Sequence, residues 1–286
     1  LYRGEVFGLL GPNGSGKTTT ILMTLGLTEP TGGEVSVVGY DPLRNPLEVK
    51  KRVGYMPDSV GFYNDMTGFE NLDYTAQFLG LSRNEREKRI TESFNTMGIG
   101  NVMQNRVGTY SRGMRQRLGL AEVLVKRPEM IILDEPTQGL DPESASEFLD
   151  LIRELKQQHG MTIMLSSHLL DQVQTVCDRV GLFSSGRMVV SGSVKDLSER
   201  ILGGKYVVRL QAEGSGIVEV LQRIDGVQHI EQIEEQEYKI ECSSDLRPEI
   251  ARRLIAEEAE LYSMDIHTRS LDSIYKTYFG ESTYET

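Results

Sequence analysis

Short apolar runs alternate with amphipathic segments through the first two thirds of the chain. The runs at Met130–Leu133 and Thr162–Leu165 are continuous, which is typical of strands buried on both faces of a parallel sheet. The predicted strands are Val6–Leu10, Glu34–Val38, Val53–Met56, Met130–Leu133 and Thr162–Leu165, followed by a hairpin of Val180–Phe183 with Arg187–Val190.

Helical periodicity fills the segments between these strands. The predicted helices are Thr19–Leu27, Glu70–Leu79, Glu85–Met97, a helix from Ser111 through Leu124, Ser144–Gln158 and Leu169–Cys177. Alternating strands and helices predict an α/β fold whose mostly parallel sheet has helices on both faces. Residues 66–125 form a helical insertion in this pattern, within an α/β domain that we assign to residues 1–200.

The pattern changes near Gly203, where half-exposed strands replace buried ones. The predicted elements are strands at Tyr206–Leu210, Val227–Ile233 and Tyr238–Cys242, and helices at Ile217–Ile224 and Asp245–Tyr262. This β-α-β-β-α order predicts a small C-terminal α+β domain of ferredoxin-like type over residues 205–286. A last amphipathic helix carries Leu271, Ile274, Tyr275, Tyr278 and Phe279. We interpret it as docked on the chain's own core, with a partner groove as the alternative.

A glycine-rich loop between the first strand and the first helix carries the clearest chemistry. The stretch GPNGSGKT, from Gly11 to Thr18, fits the pattern G-x-x-x-x-G-K-[ST] at every fixed position. Its glycines allow backbone N–H groups to surround a polyphosphate, and the following helix directs its positive end at the same anion. The residues predicted to contact phosphate are Gly11, Pro12, Asn13, Gly14, Ser15, Gly16, Lys17, Thr18 and Thr19.

Two carboxylates follow the buried strand at Met130–Leu133. We predict that Asp134 holds Mg²⁺ and that Glu135 polarises the attacking water, because hydrolysis needs both a metal and an oriented nucleophile. Alternation along the strand is expected to aim these adjacent carboxylates in different directions. A second helix start, at Ser111 with Gly113, is a further candidate anion site.

Charge and composition narrow the class of function. The formal net charge is −11, from 31 basic and 42 acidic side chains, which argues against binding to a nucleic-acid backbone as the main role. The longest apolar runs fall short of the roughly 20 residues needed to cross a bilayer. The cysteines, Cys177 and Cys242, form no C-x-x-C pattern, so a reducing cytosol is the expected setting.

The order of these motifs resembles the nucleotide-binding subunits of ATP-binding cassette (ABC) transporters, over Leu1 to about Asp196. Gly11–Thr18 is similar to the Walker A loop of that family, and Ile131–Asp134 to its Walker B strand. Ser111 and Gly113 resemble two positions of the family signature, Gly139-Leu140-Asp141 the D-loop, and His168 the switch histidine. The resemblance implies a P-loop NTPase fold, with ATP and Mg²⁺ as cofactors.

The resemblance also implies roles for individual residues. It makes Glu135, His168 and Lys17 catalytic, and it assigns Mg²⁺ to Thr18, Asp134 and Asp58. Ser111, Gly113 and Asp141 become nucleotide contacts, in addition to the phosphate-binding loop. Beyond the α/β domain, Leu271-Asp272-Ser273-Ile274-Tyr275 resembles the closing pattern of cassettes that serve ABC-2 type exporters.

This chain departs from the family pattern at several positions. Asp58 replaces the glutamine that senses Mg²⁺ and contacts the membrane subunit, and Met114 replaces a signature glutamine. Arg112 replaces a signature glycine, where it either crowds the nucleotide or pairs with a phosphate. The family's adenine-stacking aromatic residue lies upstream of the loop, and Tyr2 is too close to the loop to match it. We therefore expect that a natural N-terminal segment precedes Leu1.

The resemblance implies an ATP-hydrolysing subunit that energises transport. In this family two such subunits form a dimer with ATP between them, and they act with a separate integral-membrane permease at the cytoplasmic face of the cell membrane. A homodimer, ATP and a permease are therefore the expected partners, without nucleic acid. The alternatives are a soluble cassette acting on nucleic acid or ribosomes and a nucleotide-regulated adaptor that does not hydrolyse ATP.

Overall fold

The computed structural model describes residues 1–169, 175–193, 196–197, 206–214 and 216–267. The chain divides into two compact units, Leu1–Ser191 and Gly192–Thr286. The predicted helix at Leu169–Cys177 falls largely outside the described residues, and the predicted last amphipathic helix falls wholly outside them.

A six-stranded sheet forms the centre of the first unit. Its strands are β1 (Val6–Leu10), β2 (Val53–Met56), β3 (Met130–Leu133), β4 (Thr162–Ser167), β5 (Arg179–Ser184) and β6 (Arg187–Gly192), in the spatial order β2-β3-β4-β1-β5-β6. The first five strands of this order are parallel. Every residue of β1, β3 and β4 is buried, which confirms the prediction of a mostly parallel sheet covered on both faces.

The hairpin between β5 and β6 turns at Ser185 and Gly186. Both residues have left-handed φ values, of 47° and 76°, as a type I′ turn requires. The N–H of Gly186 donates to the Ser15 carbonyl at 2.8 Å, and a Cβ at Gly16 would lie 3.3 Å from the Gly186 α-carbon. The turn therefore lies directly against the glycine-rich loop, and a side chain at Gly16 would be tightly packed against it.

Helices surround the sheet and form the predicted insertion. They are α1 (Lys17–Thr24), α2 (Pro46–Arg52), α3 (Gly68–Ala76), α4 (Arg83–Thr96), α5 (Arg112–Val125) and α6 (Pro142–His159), with single 3₁₀ turns at Gln77–Leu79, Gly100–Val102 and Val107–Thr109. Thr67 begins α3 with a capping box to Glu70, and Ser82 caps α4. The helices α3, α4 and α5 contact one another, so the insertion is a helical layer of its own.

The strand predicted at Glu34–Val38 is wrong. These residues form a loop in which Val37 and Tyr40 exchange backbone hydrogen bonds of 2.8 and 2.9 Å. Val38 has a left-handed φ of 45°, which breaks an extended run. The backbone groups at Val37 are thus satisfied by a neighbour three residues away rather than by an adjacent strand.

The second unit has a four-stranded antiparallel sheet. Its elements are β7 (Tyr206–Glu213), α7 (Ile217–Gln222), β8 (Val227–Glu234), β9 (Glu237–Cys242), α8 (Arg247–Ala256) and β10 (Glu260–His267). The spatial order β10-β7-β9-β8 and the β-α-β-β-α-β sequence confirm the ferredoxin-like type. A core that includes Leu210, Ile240, Leu221 and Leu254 joins the sheet to both helices.

The helix predicted over Asp245–Tyr262 is wrong in its last third, after Ala256. The helix α8 ends at Ala256, and Glu258 then takes a left-handed φ of 57°. The next residues form β10, which pairs antiparallel with β7 and packs Leu261 and Met264 against the core. Pairing with β7 supplies backbone partners along β10, and this non-local gain outweighs the helical preference of the glutamates before it.

Candidate nucleotide-binding site

The carboxyl ends of three neighbouring parallel strands meet at one edge of the first sheet. The glycine-rich loop follows β1, Asp134 and Glu135 follow β3, and His168 follows β4. Ligands bind at this edge in open parallel sheets. The topology therefore brings motifs that are more than a hundred residues apart in sequence to one place.

The glycine-rich loop holds Lys17 in a buried position. Gly16 precedes α1 with a left-handed φ of 105°, a conformation that favours glycine. Lys17 is only 5% exposed, and its Nζ donates to the carbonyls of Gly11 at 2.8 Å and Pro12 at 3.2 Å. The ammonium group is thus curled back over its own loop, whereas Thr18 beside it is exposed.

The Glu135 carboxylate lies between two cationic or proton-donating groups. Its Oε1 is 3.3 Å from Nζ of Lys17, and its Oε2 is 2.8 Å from Nδ1 of His168. The backbone N–H of His168 also donates to Oε2, at 3.3 Å. Glu135 has a left-handed φ of 47°, which in a non-glycine residue costs about 1 to 3 kcal/mol. The structure therefore joins the predicted catalytic residues Lys17, Glu135 and His168 in one contact network.

Asp134 is separated from Glu135 by backbone conformation and by a serine that the sequence analysis missed. The strand β3 ends at Leu133, so the divergence of the two carboxylates comes from the left-handed Glu135 rather than from strand alternation. Asp134 is 2% exposed and accepts a short hydrogen bond from Ser166 Oγ. The same Oγ accepts from the N–H of Glu135 at 2.9 Å. Ser166 thus fixes both acidic residues.

Two buried polar atoms at this edge have no hydrogen-bond partner among the described residues. They are Ser15 Oγ, in the glycine-rich loop, and Glu135 Oε1, which forms the 3.3 Å ion pair with Lys17 but no hydrogen bond. Buried polar atoms normally form hydrogen bonds, and exceptions occur at catalytic sites and where a water or an ion binds. A polyphosphate accepts from a serine hydroxyl, and a water molecule donates to a carboxylate, so both atoms fit a nucleotide with its attacking water.

The predicted metal ligands lie at the same edge with different exposure. Asp134 is buried, whereas Thr18 and Asp58 are exposed. Burial raises the pKa of Tyr55 to about 12, with further contributions from the charges of Asp134 and Asp58, so both carboxylates lie close enough to act on one ring. Within the described residues no three His, Cys, Asp or Glu side chains are arranged to hold a metal ion by themselves. A Mg²⁺ bound by one or two carboxylates and phosphate oxygens fits such a set.

The predicted signature residues contact a different set of neighbours. Ser111 caps α5 by accepting from the N–H of Met114 at 3.2 Å, and Asp141 caps α6 by accepting from the N–H of Ser144 at 2.9 Å. The hydrogen bonds from Ser144 lower the pKa of Asp141. A Cβ at Gly113 would lie 3.5 Å from Ser144 Oγ, so the two helix starts are adjacent.

Tyr2 lies at the opposite end of β1 from the glycine-rich loop. The Arg179 guanidinium stacks over its ring at 4.8 Å.

Comparison with known proteins identifies the family. Residues 1–138 match the family model described as ABC transporter. The chain is 33% identical over 289 residues to the linearmycin resistance ATP-binding protein LnrL of Bacillus subtilis, covering 99% of this chain and 92% of that protein. It is 36% identical over 224 residues to the bacitracin transport ATP-binding protein BcrA of Bacillus licheniformis, covering 78% of this chain and 72% of that protein. The chain belongs to the ABC transporter ATP-binding proteins.

A solved structure supports the same assignment for this chain. The structure of CbiO1 from Clostridium perfringens, part of the ABC transporter complex CbiONQ, has a TM-score of 0.64 and 27% identity, covering 78% of this chain and 86% of that chain. The protein is therefore an ATP-binding and ATP-hydrolysing subunit of an ABC transporter of the ABC-2 exporter type. The similarities do not favour the alternative of a cassette acting on nucleic acid or ribosomes.

A helix that crosses a bilayer must be about 20 residues long and predominantly apolar. Of the described helices, none meets both requirements.

Proposed function

We propose that Lys17, Glu135 and His168 carry out ATP hydrolysis in this subunit. The observation that supports this most directly is the position of the Glu135 carboxylate, between Lys17 Nζ at 3.3 Å and His168 Nδ1 at 2.8 Å. Glu135 orients a water molecule and accepts its proton as the water oxygen bonds to the γ-phosphorus. The bond from the γ-phosphorus to the bridging oxygen breaks, and ADP leaves.

Nucleotide binding changes the partner of Lys17 in this proposal. In the structure Lys17 neutralises Glu135 and fills its own loop by bonding to Gly11 and Pro12. Phosphate oxygens attract the ammonium group more strongly than backbone carbonyls do, since those hydrogen bonds are charge-assisted. When Lys17 moves to the phosphates, Oε1 of Glu135 becomes available to the water, while His168 keeps the carboxylate in position through Oε2.

Mg²⁺ is proposed to be held by Asp134 and Thr18, with Asp58 near the same edge. The metal would neutralise charge on the phosphate oxygens. Ser166 supports this role because it fixes one oxygen of Asp134 through a hydrogen bond. The adjacent glutamate is fixed through the same hydroxyl, so the metal-binding and water-binding carboxylates keep a constant separation.

Two copies of the chain are proposed to enclose ATP between them. Ser111, Gly113 and Asp141 are assigned to the nucleotide of the partner subunit, because Ser111 and Asp141 are helix caps at an exposed surface and are adjacent in the fold. A helix start attracts anions. ATP shared in this way links the subunits, and hydrolysis weakens the link.

A membrane permease is proposed to dock beside α3, which places the subunit at the cytoplasmic face of a membrane. Tyr63, Tyr74 and Phe78 form an edge-to-face row with ring centroids 5.6 and 5.8 Å apart, and Phe78 is 80% exposed. A cavity of about 390 Å³ lies between the loop after β2 and the helices α3 and α5. Exposed aromatic rows next to a groove are typical of interaction surfaces.

The test of this proposal measures the molar mass of the chain with Mg²⁺ and ATP. The Glu135→Gln variant traps the nucleotide, so we expect a doubling of the mass by light scattering when Mg²⁺–ATP is added. Lys17→Ala in the same background lowers ATP affinity by about tenfold to hundredfold, since it removes a charged hydrogen bond, and the mass stays that of a monomer. A monomer with Mg²⁺–ATP bound, as measured by calorimetry, would overturn the homodimer but not ATP binding.

A further inference from the structure

The first two turns of α5 contact the segment that follows Glu135 in the same chain. Gln116 Nε2 donates to the Pro136 carbonyl at 2.6 Å. Three residues earlier, Gly113 lies against Ser144 at the start of α6. These contacts connect the helix that carries the signature residues to the loop that runs from Glu135 to Asp141.

Arg112 makes the closest of these approaches. A Cβ built on Gly139 would lie 2.2 Å from Arg112 Nη2 and 2.3 Å from Cζ. The guanidinium therefore occupies the space that a side chain at residue 139 would fill. Gly139 also has a left-handed φ of 69°, a conformation that favours glycine at this position.

The other arginines of this helix have different partners. Arg115 Nη1 donates to Asn64 Oδ1 at 2.9 Å, and Arg117 pairs with Glu147 at 2.6 Å. Both partners lie outside the loop from Glu135 to Asp141. Arg112 differs because its guanidinium rests on the backbone of that loop.

The loop itself is a chain of tight turns. The N–H of Gln138 donates to the Glu135 carbonyl at 3.0 Å, and the N–H of Leu140 donates to the Thr137 carbonyl at 3.2 Å. The two turns overlap at Thr137 and Gln138, so they connect the residues on either side of Gly139 to Glu135. The position of Arg112 is therefore relevant to the orientation of the Glu135 carboxylate.

We propose that Arg112 is a positioning residue, which holds the loop at Gly139 and thereby couples α5 to Glu135 within one subunit. This inference rests on the proposed role of Glu135. The sequence suggested two other roles for Arg112, crowding the nucleotide or pairing with a phosphate, and both would act on KM for ATP rather than on kcat. When the exposed start of α5 contacts the nucleotide of a partner subunit, the same contact is passed to the loop of its own catalytic carboxylate.

The experiment compares steady-state ATP hydrolysis by Arg112→Gln and Arg115→Gln in the full chain. The two changes remove the same charge from the same helix, but only the first removes the contact with Gly139. We expect Arg112→Gln to lower kcat about tenfold, the size of effect that a misplaced group produces, and to change KM for ATP less than about twofold. Arg115→Gln keeps the kcat of the unaltered chain. Arg112→Lys, whose ammonium still reaches the backbone, restores part of the lost kcat.

Combining Arg112→Gln with Gly139→Ala tests the contact between residues 112 and 139. Alanine at residue 139 overlaps with the guanidinium in the unaltered chain, and this overlap disappears with Arg112→Gln. We therefore expect Gly139→Ala to reduce kcat by a smaller factor in the Arg112→Gln background, which is the non-additivity that contacting residues produce. Thermal midpoints of all variants, followed by circular dichroism, identify any variant that is unfolded.

Two results would overturn the inference. One is a kcat for Arg112→Gln within twofold of the unaltered chain, with a normal thermal midpoint. The other is a KM for ATP that rises tenfold at constant kcat, because Arg112 would then act on the nucleotide. Neither result affects the proposed role of Glu135, which fails separately if Glu135→Gln hydrolyses ATP normally.

Discussion

The two groups of proposed nucleotide contacts differ in how far a single chain completes them. Glu135 follows β3, and its partners come from two other places in the same chain. Lys17 begins α1, whereas Ser166 and His168 lie at the end of β4, and all three bond to Asp134 or Glu135. Around Ser111, the bonds are local helix caps, and the surface is exposed. The contacts around Glu135 are complete within one chain. The exposed helix caps at Ser111 and Asp141, by contrast, would contact ATP only with a second subunit. The difference separates the residues proposed to hydrolyse ATP from those proposed to contact it across the interface of a dimer.

Removing the charge of Glu135 is the change with the largest expected effect on this comparison. Glu135→Gln retains the volume of the side chain and its contact with His168 but loses its ability to accept a proton. We expect turnover to fall by about 10² to 10⁴, the range for loss of a general base, while ATP stays bound. Phosphate release at saturating Mg²⁺–ATP measures this fall.

The control for Glu135→Gln is Glu154→Gln, an equal change at an exposed position of α6. This control keeps the turnover of the unaltered chain. Equal turnover in the two variants would contradict the proposed role of Glu135, and with it the proposal that Lys17, Glu135 and His168 act together in hydrolysis.

An intermediate effect is expected from Ser166→Ala. The change leaves the N–H of Glu135 without its acceptor, and we expect a loss of about 1 to 3 kcal/mol in the free energy of unfolding, measured in urea. It also frees both acidic residues, so turnover falls about tenfold.

Ser167→Ala is the matched control, because Ser167 Oγ accepts a backbone N–H from Leu169 at 2.9 Å. It removes the same kind of hydrogen bond without touching Asp134 or Glu135. Stability losses of similar size with a fall in turnover only for Ser166→Ala support the assignment. A similar fall in turnover for both variants contradicts it.

The smallest expected effect is that of Ser111→Asp, at the exposed start of α5. Aspartate caps helices about as well as serine, so Ser111→Asp should change the free energy of unfolding by less than about 0.5 kcal/mol. In the proposed homodimer its negative charge would face the phosphates of the ATP bound to the partner, so we expect ATP-dependent dimerisation of the Glu135→Gln chain to weaken about fivefold.

Thr67→Asp makes the same change at the N-cap of α3, outside the proposed interface, and leaves dimerisation unchanged. Ser111→Ala separates the two roles further, because it loses the cap, at about 1 kcal/mol, without adding a repulsive charge. If Ser111→Asp dimerises as the parent does, Ser111 serves only as a cap.

The parts of the fold that were predictable from sequence are those with local physical requirements. Continuous apolar runs predicted β1, β3 and β4, and the small residues at Ser184-Ser185-Gly186 predicted the hairpin of β5 and β6. The strand β10 was missed, because it depends on pairing with β7 about 50 residues away. The loop at Glu34–Val38 was mistaken for a strand, because apolar alternation does not reveal whether a neighbouring strand exists.

In the candidate site, too, residues in contiguous motifs were predictable, and residues that depend on non-local packing were not. Lys17 and Glu135 were predicted because each belongs to a contiguous motif. Ser166 was missed, although the pairing of Leu133 with Leu165 in the sheet places the next residues, Asp134 and Ser166, side by side. The contacts of Gln116 and Arg112 with the loop after Glu135 depend on helix packing, for which the sequence carries no periodic signal.

The glycine turn between β5 and β6 has an evolutionary consequence. Its amide bonds to Ser15, and its α-carbon sits where a Cβ at Gly16 would come within 3.3 Å. Surface hairpins ordinarily tolerate insertions well. Here we expect a single added residue to break the contact between this turn and the glycine-rich loop. Descendants of this chain are therefore expected to keep the length of this turn constant, while the lengths of other surface turns vary.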